Sequence, residues 1–279
     1  MELIDLINKK EISDSSKKVY QSLLKRLMNS KFKIPLKANE QINKIEEFLE
    51  TFDNPNTKLD FLNLIIVIRN VKELPVDKLK LLRIKLKQLQ KTHQVSKLNG
   101  VGDSLISYES FNEKLNKAFE NAEYKKYIVN YLMMTYGVRN KDLDLTIIKA
   151  KKDIEPKKNY LLIKKDKIKY IRDDYKTHSK YGTQTHDINN DKFEMAVKKV
   201  GLGKLFDANQ ISNALRKLYI DKHGEAKIFK MMIDHYYDNK DSESIKRISE
   251  TRGTSLGVVD GFYNVNSSSN PIEQAKAIA

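Results

Sequence analysis

The sequence contains no cysteine, which excludes structural disulfides, thiolate zinc sites and cysteine nucleophiles. Histidine is nearly as scarce: five are scattered over 279 residues, with no metal-ligand spacing. No apolar run approaches the length that crosses a bilayer. The opening MELIDLINKKEISDSS also lacks the basic-then-apolar order of a signal peptide, so a soluble, intracellular protein is expected. A nucleotide-binding loop is missing as well, and so is a cluster of carboxylates. Chemistry is left to hydroxyls, amines, single carboxylates and guanidinium groups, and of the last there are only eight.

What the chain has in excess is positive charge, a formal +15. Residues 1–100 carry 20 basic against 12 acidic side chains, and residues 101–279 carry 32 against 25. A basic tail would concentrate the excess at one end. This even spread instead suits two lobes that each touch a polyanion such as DNA. The excess is mostly lysine, so charge alone leaves a plain compositional bias as an equal reading.

The first hundred residues read as helices only. Ser13 is a plausible N-cap for a helix with Val19, Tyr20, Leu23, Leu24 and Leu27 at helical spacing, and similar patterns follow at 39–53, at 57–71 and from Pro75 to about Val95. KLNGVGDS, with Gly100 and Gly102, reads as the end of the last helix and a linker. The predicted organisation is a helical domain over 1–98, a linker over 99–106 and a second domain over 107–279. In the second domain a helical stretch from Tyr108 gives way at about 158 to alternating apolar and polar residues. NYLLIKK, KIKYIRDDY and KYGTQTHDI read as three strands of a small antiparallel sheet. Helices return from about 191 to 260, two of them expected to close at Gly224 and Gly253. The fold class expected is mainly α (α+β).

Four segments of the second domain carry the candidate chemistry. They are MMTYGVRNKDLDLTII, DDYKTHSKYG, ISNALRKLYI and RGTSLGVVDGFYNV, in that order. Together they resemble the catalytic boxes of the tyrosine recombinases and phage-type integrases over roughly residues 124–263. The resemblance places a first arginine at Arg139 with its acidic partner at Asp142, where the family more often has Glu. It places a sheet-borne lysine at Lys176, a second arginine at Arg216 and the nucleophile at Tyr263. Asn213 and Thr254 stand at auxiliary positions where the family has His, and His or Trp. It further implies a helical core-binding domain at 1–98, a catalytic domain at 107–279, double-stranded DNA as partner, a homo-oligomer that is a tetramer on two DNA sites, and no cofactor or metal. The protein would act wherever its DNA resides, in nucleus, nucleoid or viral factory.

These residue types suit phosphodiester chemistry in their own right. Attack by a hydroxyl builds negative charge on the non-bridging oxygens, which two fixed guanidinium groups stabilise through forked hydrogen bonds. The 5′ oxygen leaves poorly unless a general acid such as a lysine ammonium protonates it. A tyrosine nucleophile stores the bond energy as phosphotyrosine, so rejoining needs neither ATP nor metal. Each residue alone has an ordinary reading: Arg139 as a helix C-cap, Lys176 as a surface charge, Tyr263 as a core aromatic. Two alternatives share the boxes. One is a type IB topoisomerase, and the other a DNA-binding or packaging protein on a catalytically weakened scaffold, supported by Asn213 and Thr254. His178, His186, His223 and His235 read as surface or helix-end residues, although His178 or His186 is placed to replace a missing auxiliary histidine. Met231 and Met232 read as core. In the tail, Pro271 starts a weak helix whose Ile272, Ala275 and Ile278 are candidates for docking on a neighbouring subunit.

Overall fold

A computed structural model describes residues 3–9, 12, 14–29, 42–102, 105–206 and 211–263. The candidate cap Ser13 and the tail from 264 lie outside them. The chain divides into two compact units, Met1–Lys97 and Leu98–Ala279.

The first unit is helical: α1 Leu3–Lys9, α2 Asp14–Met28, α3 Ile42–Glu50, α4 Pro55–Val71 and α5 Asp77–Gly102. Helix α4 is its axis. Asn54 caps it by accepting from the Asn56 amide at 2.9 Å, and Pro55 occupies the first turn, where no amide hydrogen is needed. Leu59, Phe61, Leu62, Leu64, Ile65, Ile66 and Ile68 are all buried, so this helix is apolar around most of its circumference, as an enclosed helix must be. The fully buried Arg69 donates from Nε to the Pro75 carbonyl at 3.1 Å and fastens the turn into α5. Helix α5 runs past the expected end near Val95, through Gly100 to Gly102, so the first four residues of the expected linker are helical. Each glycine costs about 1 kcal/mol against alanine in a helix interior, but extending an established helix adds a hydrogen bond per residue and absorbs that cost.

The second unit opens with α6 Tyr108–Glu120 and α7 Tyr124–Tyr136, separated by a turn in which Ala122 takes a φ of 59°. A 3₁₀ turn at Asn140–Leu143 leads into strand β1 Leu145–Ile148, followed by β2 Asn159–Ile163 and β3 Ile168–Arg172. The short helix α8 His178–Tyr181 and strand β4 Gln184–Ile188 follow, then α9 Asp191–Val200 and β5 Gly203–Lys204. Next come α10 Ile211–Arg216, α11 Glu225–Asp238, α12 Ser242–Arg252 and α13 Leu256–Val258, which continues as a π-type turn to Tyr263.

The sheet has the order β4-β3-β2-β1-β5 and is mixed, not purely antiparallel as expected. The three expected strands do pair antiparallel, Leu161 opposite Tyr170 and Tyr170 opposite His186. Strand β1 lies parallel to β2, however, because residues 149–158 carry the chain back to the end from which β1 started. Side chains alternate between two faces. Leu161, Ile168, Tyr170 and Ile188 face the main core, and Tyr160, Leu162 and Ile171 form a small cluster behind. The core also takes Met231 and Met232, as the sequence suggests.

Of the two glycines expected to end helices, one does. Gly253 closes α12 in the left-handed conformation, φ 65°, as expected. Gly224 does not close the third-box helix; it is the N-cap of α11. Helix α10 stops at Arg216 because the fully buried Asn130 of α7 claims the chain beyond it: its Nδ2 donates to the Leu218 carbonyl at 2.8 Å and its Oδ1 accepts from the Ile220 amide at 3.4 Å. His223, expected at the surface or at a helix end, ends the 3₁₀ turn Ile220–Lys222 and is buried there, its Nδ1 2.9 Å from the Asp221 carbonyl. No described helix is long and apolar enough to cross a membrane, and the described residues include no cluster suited to a metal ion.

Candidate active site

The C-terminal ends of α7 and α12 meet, and the candidate residues of the first and fourth boxes meet with them. Gly137 ends α7 at φ 60°, and a Cβ there would sit 3.0 Å from the Phe229 ring, so glycine alone lets the chain turn this tightly toward Arg139. Arg139 then reaches across to α12. Its Nη1 donates to the Arg252 carbonyl, and its Nη2 donates to Thr254 Oγ1 at 3.2 Å. Helix C-termini carry unsatisfied carbonyls and partial negative charge, which makes this a natural seat for a guanidinium. Arg139 is thus a helix cap, as its ordinary reading has it, but of α12 and not of the helix before it. Burial first, and then the Arg252 charge, lower the Arg139 pKa, while Asp142, Glu225 and the Tyr263 phenol oppose that shift. Among the described residues these bonds engage two of the five guanidinium N–H groups of this half-buried cation.

Asp142 is fully buried behind Arg139. Its Oδ2 accepts from the Arg139 amide at 3.1 Å and from Nη2 of Arg172, itself fully buried at the end of β3. Arg172 also donates to the Thr251 carbonyl of α12 and to Gln184 Oε1, each at 2.7 Å. Asp142 and Asp144 therefore do not form a metal pair: Asp144 is exposed, and Asp142 is committed to two arginine donors.

Lys176 lies in the loop between β3 and β4, exposed, between two anchored neighbours. Tyr175 before it is buried, with its ring under the Arg172 guanidinium at 4.6 Å and its hydroxyl donating to the Gly182 carbonyl at 2.6 Å. Asn159 Oδ1 accepts from the Asp173 and Asp174 amides at 2.9 Å and holds the start of the loop. Thr177 after it lies directly against Gly253, where a Cβ would fall 2.1 Å from Thr177 Oγ1. The second and fourth boxes thus touch through Thr177 and Gly253. Gly253→Ala should cost roughly 1–2 kcal/mol for the left-handed backbone alone and displace Thr177 with Lys176. Thermal melts check this, and an unchanged melting temperature would show that the loop does not pack there.

Tyr263 is half-buried at the end of the π-type turn, edge-on to Phe229 with ring centroids 4.8 Å apart. Its carbonyl accepts from the buried Lys230, 3.5 Å away, which is paired with Asp234 at 2.8 Å. Arg216 and Asn213 are one turn apart on α10, and both are exposed. Arg216 acts electrostatically on Tyr219, whose hydroxyl donates to Asn140 Oδ1 at 2.6 Å. It therefore stands one residue contact away from the Arg139 turn and makes no described bond to Arg139. The structure gathers Arg139, Asp142, Thr254 and Tyr263, brings the Lys176 loop against them, and leaves Arg216 at the rim.

Three charged residues around Arg139 have no place in the sequence reading: the buried Arg172 and Arg252 and the partly buried Glu225. The first two had a signal. Arg172 shares the inward phase of Ile168 and Tyr170, and Arg252 continues the buried face Ile245, Ile248, Ser249 at helical spacing. Of the histidines, His178 pairs with Asp173 at 3.0 Å. His186 is largely buried against Tyr136 with ring centroids 4.7 Å apart, and burial, then the Arg172 charge, push its pKa down to about 4. It is neutral at neutral pH and no proton donor there. The unfolded chain takes up this proton near pH 6.5 and the folded one only near 4, so stability should fall as pH drops across that window and level off below it. His186→Phe should flatten that acid limb in melts taken from pH 7 to 4, and an unchanged limb would refute the assignment.

No protein-family model matches the chain, and no curated protein matches it. Among solved structures it is similar to one described as the crystal structure of XerA recombinase, over 99% of this chain and 96% of that one. The identity is 13% and the TM-score 0.37, a likeness too loose to carry an argument about the site.

Proposed function

We propose that the chain is a site-specific recombinase or integrase that cleaves and rejoins DNA strands through a 3′-phosphotyrosine at Tyr263. The observation that carries this reading is the convergence at the C-terminal end of α12: Arg139, Thr254, Tyr263 and the loop of Lys176 come together from segments far apart in sequence. The Tyr263 hydroxyl gives up its proton to solvent as its oxygen attacks the scissile phosphorus, the bond to the 5′ oxygen breaks, and Lys176 protonates the leaving oxygen. Arg139 and Arg216 neutralise the charge that builds on the non-bridging oxygens. Thr254, in accepting from Arg139, keeps its own O–H to donate to a phosphate oxygen, which gives this auxiliary position a donor without a histidine. Both units carry net positive charge, which suits a duplex gripped by the helical unit as well as the catalytic one, in a tetramer on two DNA sites.

The test uses a pool of nicked duplexes of randomised sequence. Protein-linked DNA is recovered under denaturing conditions, the modified residue is mapped and the attached ends are sequenced. Adducts at Tyr263 sharing a common sequence are expected. A protein that binds the pool but leaves no adduct would overturn the reading in favour of a DNA-binding protein, and relaxation of supercoiled DNA by dilute monomer would favour a topoisomerase.

A further inference from the structure

We infer that Arg252 and Glu225 are positioning residues for Arg139, an inference that rests on the reading of Arg139 as a phosphate-binding arginine. Arg252 is 4% exposed, and its side chain turns back toward α7. Its Nη1 donates to the Gly137 carbonyl at 2.7 Å and the Val138 carbonyl at 3.4 Å, while its Nη2 donates to Glu225 Oε1 at 2.8 Å. Its guanidinium lies 4.3 Å from the centre of the Phe229 ring, the ring on which Tyr263 packs. The exchange is reciprocal: Arg252 bonds the carbonyls just before Arg139, and Arg139 bonds the carbonyl of Arg252, 113 residues away. The other carboxylate oxygen of Glu225 accepts from the Asn140 amide at 2.7 Å. Residues 137, 138 and 140, on both sides of Arg139, are therefore held by one ion pair.

This arrangement answers a physical difficulty. Two guanidinium groups side by side repel, and Arg252 lowers the Arg139 pKa accordingly. Tolerating a second buried cation here makes sense only if its geometry is needed, and a fork is what reaches two carbonyls and a carboxylate at once. Glu225 supplies the compensating charge and, through Asn140, the second fixed point. Residues that orient the ligands of a metal typically change affinity or activity 10- to 100-fold without touching substrate, and a partner that orients a phosphate-binding arginine is expected to act on the same scale.

The experiment compares Arg252→Lys and Glu225→Gln with the wild-type chain on the duplex that wild type selects from the randomised pool. Single-turnover adduct formation is read as a rate constant and an amplitude, beside the DNA dissociation constant. Arg252→Lys should lower the rate constant by about 10-fold or more with affinity unchanged, since lysine keeps the charge but not the fork. A merely structural role would lower the amplitude, the fraction of competent molecules, and leave the rate constant alone. A wild-type rate constant in Arg252→Lys overturns the inference. If that variant does not fold, Glu225→Gln decides by the same criterion. With only eight arginines in the chain, Arg139 can also be followed by guanidinium NMR, where its Nη protons should be separately resolved in wild type and averaged in the variants. Unchanged Nη signals in both variants overturn the positioning role even if wild type forms no adduct, a result that would sink the functional reading separately.

Discussion

Tyr263→Phe should form no covalent adduct and cleave no strand, while binding the same duplex within about twofold of wild type, because the role proposed for the lost oxygen is in chemistry and not in binding. The structure makes this substitution unusually clean. The ring packs edge-on against Phe229, and phenylalanine keeps that contact. The bond from Lys230 goes to the main-chain carbonyl, which the substitution does not touch. Denaturing gels of the nicked substrate give the adduct, and titration of intact duplex gives the affinity. Undiminished strand joining by this variant would remove Tyr263 from the mechanism.

Arg139→Ala should slow cleavage by a factor of roughly 10² or more, the size expected when one preorganised donor to a developing oxyanion is lost. Arg216→Ala should do the same, but the two variants should part company in stability. Arg139 bonds the Arg252 carbonyl and Thr254, so its removal also loosens the junction of α7 and α12 and lowers the melting temperature. Arg216 is exposed at the end of α10, and its removal should leave the melt unchanged. Lysine at either position should rescue poorly, since a point charge cannot make two parallel bonds to phosphate. Single-turnover rates beside thermal melts separate the effects. Near-wild-type cleavage by both lysine variants would refute the two-arginine clamp.

Several features of this arrangement are legible in the sequence itself. Helical spacing located α2, α4 and α11, and the alternation in NYLLIKK, KIKYIRDDY and KYGTQTHDI located β2, β3 and β4. Gly253 is legible in the sequence because a left-handed helix end is a local event with a local signature. What escaped was set by partners distant in sequence. Strand β1 is only four residues long, and its parallel pairing depends on β2 eleven residues beyond its end. Helix α10 ends early because Asn130, 88 residues before Leu218, holds the chain in another conformation. Arg252 and Arg172 could have been found by extending the phase of their neighbours, whereas Glu225 sits in a first helical turn where an acidic residue is unremarkable.

The span of these bonds bears on when the protein becomes able to act. Arg139 meets Arg252 across 113 residues and Thr254 across 115, so the loop between them must close before either bond exists. Contacts of such separation form late, after local helices and hairpins. On a ribosome, Arg139 emerges well before α12 has been made, and a chain halted anywhere in between holds an arginine with no carbonyl to seat it and no tyrosine beside it. Under the proposed function, competence to cut is thereby tied to completion of the second unit, and a half-made or half-folded molecule would grip DNA through its lysines without breaking it.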